Sequence, residues 1–415
     1  MLKFDRSFLG ELKESWLLLT VAFCCLLFGM SAGAFSMPFV YPEVIKEFGW
    51  TREQATLLAT VKYAITAISA LAVGRLIDSI GVWPALVGTT SLSAIALTSY
   101  LWVSDLNSYY LTGILLGCAS GGGIVSVKVL VSKAFHNSQG TAMGIALLGI
   151  ALGGTLIPII ITALISALGW RYGFAILSLA VWFITLPLIV AGYLSPARRK
   201  AAKTQAARAD EETNKDFAPE VRALFAKKNF WLIAVAVFGA ATVDTAFGQH
   251  QVLIFRDLNF SASATAYAVS MIGLAGIISR VIVGNILDRA SNKGLAVLYL
   301  TMSIASVAAL ALLNPIVLFV FIILRAVGHS TVLLDTTVMS KHAFGNSRNM
   351  GTLLGLFTAF SSAGFAFGPW IMGRMFDTMG TYRPAYFVFA LLPILLMVLA
   401  LRIRPDYWLK INRKQ

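Results

Sequence analysis

The chain has 415 residues, 58% of them hydrophobic and only 13% charged, with a mean hydropathy of +0.79. A soluble globular protein carries about a quarter charged residues, so this composition argues against a soluble enzyme. It fits repeated membrane crossings of about 20 apolar residues each.

Taken in chain order, apolar runs of spanning length fall at about 16–42, 53–78, 83–104, 108–132, 139–167 and 171–194. A second series follows at about 230–256, 261–287, 295–313, 315–340, 350–378 and 383–403. These runs predict an all-α membrane protein of twelve transmembrane helices in two six-helix halves. The basic start (Lys3, Arg6, Lys13) leads into a long apolar run with no small-residue cleavage pattern. It reads as a first span rather than a cleaved signal peptide.

The one long break is 195–229. It opens with Arg198, Arg199, Lys200, Lys203 and Arg208 and continues with Asp210, Glu211 and Glu212. The charges make it a solvated linker, and its interleaved alanines favour helix. A short amphipathic stretch, Val221 to Lys228, leads into the next run. The expected organisation is therefore 1–194, a cytoplasmic linker 195–229, and 230–415.

The net charge of +14 follows the same plan. Of 33 Lys and Arg, 23 fall in segments on one side, 6 on the other and 4 inside apolar runs. This is the positive-inside asymmetry rather than a basic groove for nucleic acid. It predicts both termini in the cytoplasm and a bacterial-type inner (plasma) membrane. Cys24, Cys25 and Cys118 lie in apolar runs and form neither a disulfide framework nor a metal-ligand spacing.

The halves echo each other. Gly74-Arg75-Leu76-Ile77-Asp78 returns as Gly284-Asn285-Ile286-Leu287-Asp288, 210 positions on. Gly140, Gly153 and Pro158 return as Gly351, Gly364 and Pro369, each 211 on, and Gly169-Trp170-Arg171 has a looser echo in Gly380 to Arg383. Near-constant offsets argue for a duplicated six-span unit, whose binding site is expected near the membrane midplane between the repeats.

Gly74 to Gly81 resembles the signature between the second and third spans of major facilitator superfamily transporters, and Gly284 to Gly294 resembles its degenerate copy. By that resemblance Gly74, Asp78, Gly284 and Asp288 form a latch at the cytoplasmic side rather than a substrate site. Glycine would there permit close helix approach. Glu47-Phe48-Gly49-Trp50-Thr51, Ser132 to Phe135 and Gln139 to Gly144 resemble the bacterial monocarboxylate-porter-like subfamily. The resemblance implies that Arg280, in Ser279-Arg280-Val281-Ile282-Val283-Gly284, holds a substrate carboxylate. The chain departs from the animal members at Gly276, where an aspartate is expected, and near Ser36 and Met37, where a lysine is expected. The binding role carries over, and the animal proton-coupling residues do not.

Charges within spans cost at least ~2.5 kcal/mol and face a cavity or a partner. Lys62, Lys128, Asp244, Arg280, Arg325 and Asp335 lie well inside apolar runs, with His250 as a further titratable group. Arg280 offers a permanent charge and a planar fork that matches a carboxylate; the alternative is an ion pair between helices. His250, Lys62 and Lys128 are further candidates for substrate contact. Asp244, His250 and Asp335 are candidates for proton coupling. Asp244 is weighed equally as the lasting partner of a neighbouring cation, and His250 against a plain hydrogen-bonding role. Asp335 is also placed as a possible partner of Lys128. Ser120, Ser126, Met30, Ser31 and Phe35 either line a cavity or pack.

The run Gly117, Gly121, Gly122 and Gly123 lacks the lysine and hydroxyl of a phosphate-binding loop and reads as helix packing. No nucleotide cofactor is expected. The function indicated is a secondary active transporter of a small organic anion, a proton-coupled monocarboxylate symporter working by alternating access. Its partners are the anion, the proton and the lipid bilayer. The rivals are an exporter of an amphipathic metabolite or drug, and a non-transporting membrane sensor. A membrane enzyme has no nucleophile–base or metal constellation to support it.

Overall fold

A computed structural model describes residues 6–135, 138–196, 225–344 and 350–403. Helices dominate: α1 (Arg6–Cys24), α2 (Ser31–Phe48), α3 (Arg52–Ile80), α4 (Val82–Ser99), α5 (Leu106–Ala134), α6 (Gln139–Leu168), α7 (Trp170–Ala180) and α8 (Leu186–Leu194). After the linker come α9 (Lys228–Asp257), α10 (Ala262–Ala308), α11 (Pro315–Phe344), α12 (Met350–Met379) and α13 (Arg383–Arg402). Single π-helical turns join α1 to α2 and α7 to α8. The charged clusters between Arg198 and Glu212, and most of the stretch from Val221, lie outside the described residues.

Among the described residues eleven continuous helices are long and apolar enough to cross a membrane, where the sequence led us to expect twelve. The difference lies at Ala262–Ala311, where two expected spans run together over 50 residues. At 1.5 Å per residue that is about 75 Å, far beyond the ~30 Å apolar core of a bilayer.

The run is not uniform. Ser291 inside α10 has φ 46° and ψ −123°. Its counterpart 210 positions earlier is Gly81, which separates α3 from α4 with φ 87°. Glycine takes positive φ freely; a serine there is uncommon. The Ser291 hydroxyl is tied to His342 Nδ1 at 2.9 Å. The repeat also reaches the opposite turns, where Gly169 and Gly380, 211 apart, have φ 80° and 70°.

The chain forms two compact units. One comprises Met1–Glu43 with Ala64–Asn214, the other Val44–Tyr63 with Lys215–Gln415. In the first, a Cβ on Gly121 would strike the Ser69 hydroxyl and the Thr66 carbonyl, and one on Gly122 would lie 2.8 Å from Val73. These two glycines therefore let α5 press against α3 and α4, whereas a Cβ on Gly123 meets nothing. Gly153 of α6 sits over Ser31, and Gly364 of α12 sits over the Phe238 carbonyl of α9. The two units thus reuse one close approach.

Gly74 and Gly284 differ from expectation. A Cβ on either meets nothing within 4 Å, so close helix approach does not explain glycine at these positions in this structure. Asp78 and Asp288 are both exposed.

The segment Val44–Tyr63 belongs to the second unit although it continues the N-terminal half of the sequence. Gly49 (φ 68°) closes α2, with its amide on the Ile45 carbonyl. Thr51 then opens α3 with a reciprocal cap: its hydroxyl accepts from Gln54 N–H at 3.2 Å, and its own N–H donates to Gln54 Oε1 at 3.0 Å. Asp377 at the end of α12 accepts from the amides of Arg52 and Glu53 at 3.0 and 2.7 Å. Glu53 receives Trp370 Nε1 at 2.9 Å and Arg374 Nη1 at 3.1 Å. At the start of α5, Asp105 forms a similar reciprocal cap with Ser108, whose hydrogen bonds hold the Asp105 carboxyl below the usual carboxylate range.

Candidate functional site

The intramembrane ionisable residues of the second unit separate into five environments. The first is a charge cluster between α9 and α11. Asp244 lies midway along α9, and Arg325 and His329 stand one turn apart on α11. Arg325 Nη2 lies 3.1 Å from Asp244 Oδ1 as an ion pair and donates its hydrogen bond to the Asp244 backbone carbonyl at 3.0 Å. His329 Nδ1 lies 2.8 Å from Asp244 Oδ2. The Asp244 and Arg325 side chains are 4% and 6% exposed, and that of His329 is 35% exposed. Asp244 therefore has cationic and imidazole partners on a neighbouring helix, one of the two arrangements its sequence position suggested. The Arg325 guanidinium also sits 5.6 Å from the Phe247 ring centroid, within cation–π range.

His250, six residues along α9, looks elsewhere. It is fully buried, with Nδ1 2.8 Å from the Tyr382 hydroxyl and Nε2 2.9 Å from the Pro369 carbonyl. A carbonyl only accepts, so Nε2 bears the proton and Nδ1 accepts from Tyr382. Both nitrogens are engaged in holding α9 against the chain around α12 and α13.

Asp335, on α11, is fully buried. Tyr299 OH donates to its Oδ2 at 3.0 Å, and the amide and hydroxyl of Thr336 donate to Oδ1 at 2.5 and 3.1 Å. Lys62 is 2% exposed, with its ammonium 4.0 Å from the Tyr63 ring centroid. Tyr63 in turn meets the Phe365 ring and receives Gln249 Nε2 at a long 3.5 Å. Lys128 lies in the other unit and is exposed on α5.

Arg280 is the fifth environment. It is half-buried on α10, and its Nε is buried with no hydrogen-bond partner among the described residues. No carboxylate of the described residues lies within ion-pair distance of it. Its chain neighbour Ser279 bonds Ser330 hydroxyl to hydroxyl at 2.7 Å and donates to the Ala326 carbonyl at 3.0 Å. That contact puts Arg280 level with His329, which precedes Ser330 on α11.

The sequence reading missed His329. The signal was present, because His329 follows Arg325 by four positions and so shares its helix face. Tyr382 and Tyr299, the partners of His250 and Asp335, were also not anticipated; nothing local in the sequence marks them.

The helical architecture and these intramembrane charges agree with the comparison by sequence, which matches the major facilitator superfamily over residues 21–343. The chain belongs to the major facilitator superfamily. No protein with a curated description matches it. Solved structures of this superfamily member's fold include a bacterial homolog of the human lysosomal transporter Spinster, in an inward-facing and occupied conformation. It has a TM-score of 0.72 at 15% identity, over 94% of this chain and 97% of that one. A D-xylose–proton symporter gives 0.72 at 13% identity, over 96% and 99%. A point mutant of a peptide transporter, in complex with alafosfalin, gives 0.71 at 15% identity, over 95% and 94%. At these identities the likeness concerns the fold. As a superfamily member the chain is a multi-pass membrane protein and a transporter rather than an enzyme.

Proposed function

We propose that this transporter carries a small organic anion, a monocarboxylate, together with a proton, by alternating access. The observation that carries the reading is the contrast between two arginines. Arg325 is neutralised by Asp244, whereas Arg280 has a buried Nε and no carboxylate beside it. A guanidinium cannot shed its charge, and an unbalanced charge in a span is costly. An incoming carboxylate supplies the missing partner in the geometry guanidinium prefers. Moving that anion with one proton transfers no net charge, so uptake would follow a pH gradient. One structural neighbour, the D-xylose–proton symporter, is by its name also coupled to protons.

The same reading takes Ala262–Ala311 as two crossings that turn at Ser291, as α3 and α4 turn at Gly81. That makes twelve spans in two six-helix halves, with both termini in the cytoplasm of a bacterial-type inner membrane, consistent with the 23-to-6 charge distribution. Lys62 and Lys128 remain proposed secondary contacts for the anion, and Asp78 and Asp288 proposed cytoplasmic latch residues.

The test is counterflow in proteoliposomes with a panel of radiolabelled carboxylates. Exchange of a monocarboxylate is expected. Exchange of amphipathic compounds alone would indicate an exporter, and no exchange of any solute would indicate a sensor.

A further inference from the structure

The cluster of Asp244, Arg325 and His329 holds one more ionisable group than charge balance requires. Asp244 and Arg325 are both buried and cancel each other. His329 is bound to the same carboxylate and is the most exposed of the three. An ionised carboxylate accepts hydrogen bonds and donates none, so the proton of this contact sits on His329 Nδ1. That fixes the tautomer and leaves Nε2 as the nitrogen with a lone pair to offer. Among the described residues no hydrogen bond is made to Nε2.

We infer that His329 Nε2 is the position where this transporter takes up and releases its proton, with Asp244 as the fixed partner that orients the ring and Arg325 as the counter-charge that keeps Asp244 ionised. The inference rests on the proton-coupled reading above and names the group that reading leaves open. In the neutral state the three side chains sum to zero charge. When water delivers a proton to Nε2, the imidazole becomes a cation and the cluster carries one net positive charge. The Ser279–Ser330 contact sets this charge at the level of Arg280. A proton on His329 therefore favours an anion at Arg280, and departure of either favours departure of the other.

The other candidates for this role are already committed. Protonating His250 Nδ1 would break its bond from Tyr382, and its Nε2 is used on Pro369. Asp335 is fully buried under three hydrogen bonds from Tyr299 and Thr336. The charged and titratable groups around His329 can be named helix by helix. On α11 itself they are Arg325 and Asp335. On α9 it is Asp244, and on α10 Arg280 and Tyr299. Tyr63 of α3, next to Lys62, lies near Gln249 of α9. The charged groups of α12, Arg374 and Asp377, lie near its end beside Glu53 and Arg52.

The chain has four histidines, so a direct test is feasible with 15N-histidine labelling in the full-length protein. At high pH the two ring nitrogens report the tautomer, and the His250 and His329 imidazoles are opposite. His250 is the Nε2–H form and His329 the Nδ1–H form. A His136→Gln, His342→Gln double variant removes the other two signals. We expect the Nδ1–H imidazole to gain a proton when the sample is acidified from about pH 8 to about pH 5, while the Nε2–H imidazole stays neutral. An Nδ1–H imidazole that keeps one charge state across that range, or titration by the Nε2–H form alone, overturns the assignment.

His329→Asn supplies the transport readout. The asparagine amide can replace the Nδ1 donor to Asp244 but cannot take a proton. Accumulation driven by a pH gradient should fall at least tenfold, and anion binding should no longer strengthen as pH falls. Accumulation retained within twofold overturns the inference. If the wild type exchanges no carboxylate, the anion-transport reading fails, and the nitrogen titration still decides independently whether His329 takes a proton.

Discussion

Arg52 lays Nη1 and Nη2 on the two carboxylate oxygens of Asp257, each at 2.6 Å, so the start of α3 is forked onto the end of α9. The same guanidinium lies 3.6 Å from the Phe376 ring centroid. With the Asp377 cap and the Glu53–Arg374 pair, it gives the segment Val44–Tyr63 a polar anchor in the second unit. A bidentate pair is stronger than a single contact, but Asp257 is 38% exposed, so we discount its worth to about 1 kcal/mol.

Asp257→Asn should therefore loosen this anchor about fivefold. Thr56 is fully buried one turn into α3, with its hydroxyl on the Arg52 and Pro369 carbonyls. A cysteine at Thr56 should react with a small thiol reagent about five times faster in the Asp257→Asn background. An unchanged rate would mean that the fork does not hold the segment.

Arg280 is expected to govern affinity. Arg280→Ala should weaken carboxylate binding by ten- to a hundredfold. Arg280→Lys should do so less, because it keeps the charge and loses the fork. Binding to purified protein of normal thermal stability is the measurement. Wild-type affinity in a well-folded Arg280→Ala protein would move attention to Lys62 or Lys128.

Asp244 and Arg325 should behave as a unit. Removing one partner of a buried pair strands the other and costs about 3–5 kcal/mol. Asp244→Asn alone should thus lower thermal stability sharply, and adding Arg325→Gln should restore much of the loss. A double variant no more stable than Asp244→Asn would show that the pair contributes by something other than charge balance.

Much of this architecture is written locally. Apolar runs and positive-inside charge are properties of neighbouring residues, and they delivered the helices and their order. The charges inside spans were equally visible, because a lone Asp244 or Arg280 stands out in an apolar run. Their partners were not, since Asp244 meets Arg325 and His329 from 81 and 85 positions away. His250 and Tyr382 are 132 apart. The placement of Val44–Tyr63 with the second unit likewise depends on tertiary contacts that no local pattern encodes. The open space around Gly74 and Gly284 shows the same limit, because a motif marks a position without saying what lies against it.

Orientation in the membrane can be tested with two exposed positions in a background where Cys24, Cys25 and Cys118 are alanine. Ser104 follows α4 and Ser79 ends α3, and both are exposed. The charge asymmetry puts Ser104 outside and Ser79 inside. A cysteine at Ser104 should react with an impermeant reagent in intact cells, and one at Ser79 only after permeabilisation. The reverse pattern would invert the topology.

Ser291 offers a test of the turn between the two proposed spans of Ala262–Ala311. Its φ of 46° lies where side chains are strained, at a cost of about 1–3 kcal/mol. Its hydroxyl recovers some of this by bonding His342, a contribution of about 1 kcal/mol. Ser291→Ala keeps the strained backbone and loses the bond, so it should destabilise by about 1 kcal/mol. Ser291→Gly loses the same bond but relieves the strain, as the matching Gly81 does in the first unit. The informative quantity is the difference between the two variants, because the lost hydroxyl cancels. The glycine variant should be more stable than the alanine variant by about 1–3 kcal/mol, read as a higher midpoint in thermal unfolding of the purified protein. Equal midpoints would mean that residue 291 does not hold a positive φ in the membrane protein, and the reading of α10 as two spans joined by a Gly81-like turn would lose its support.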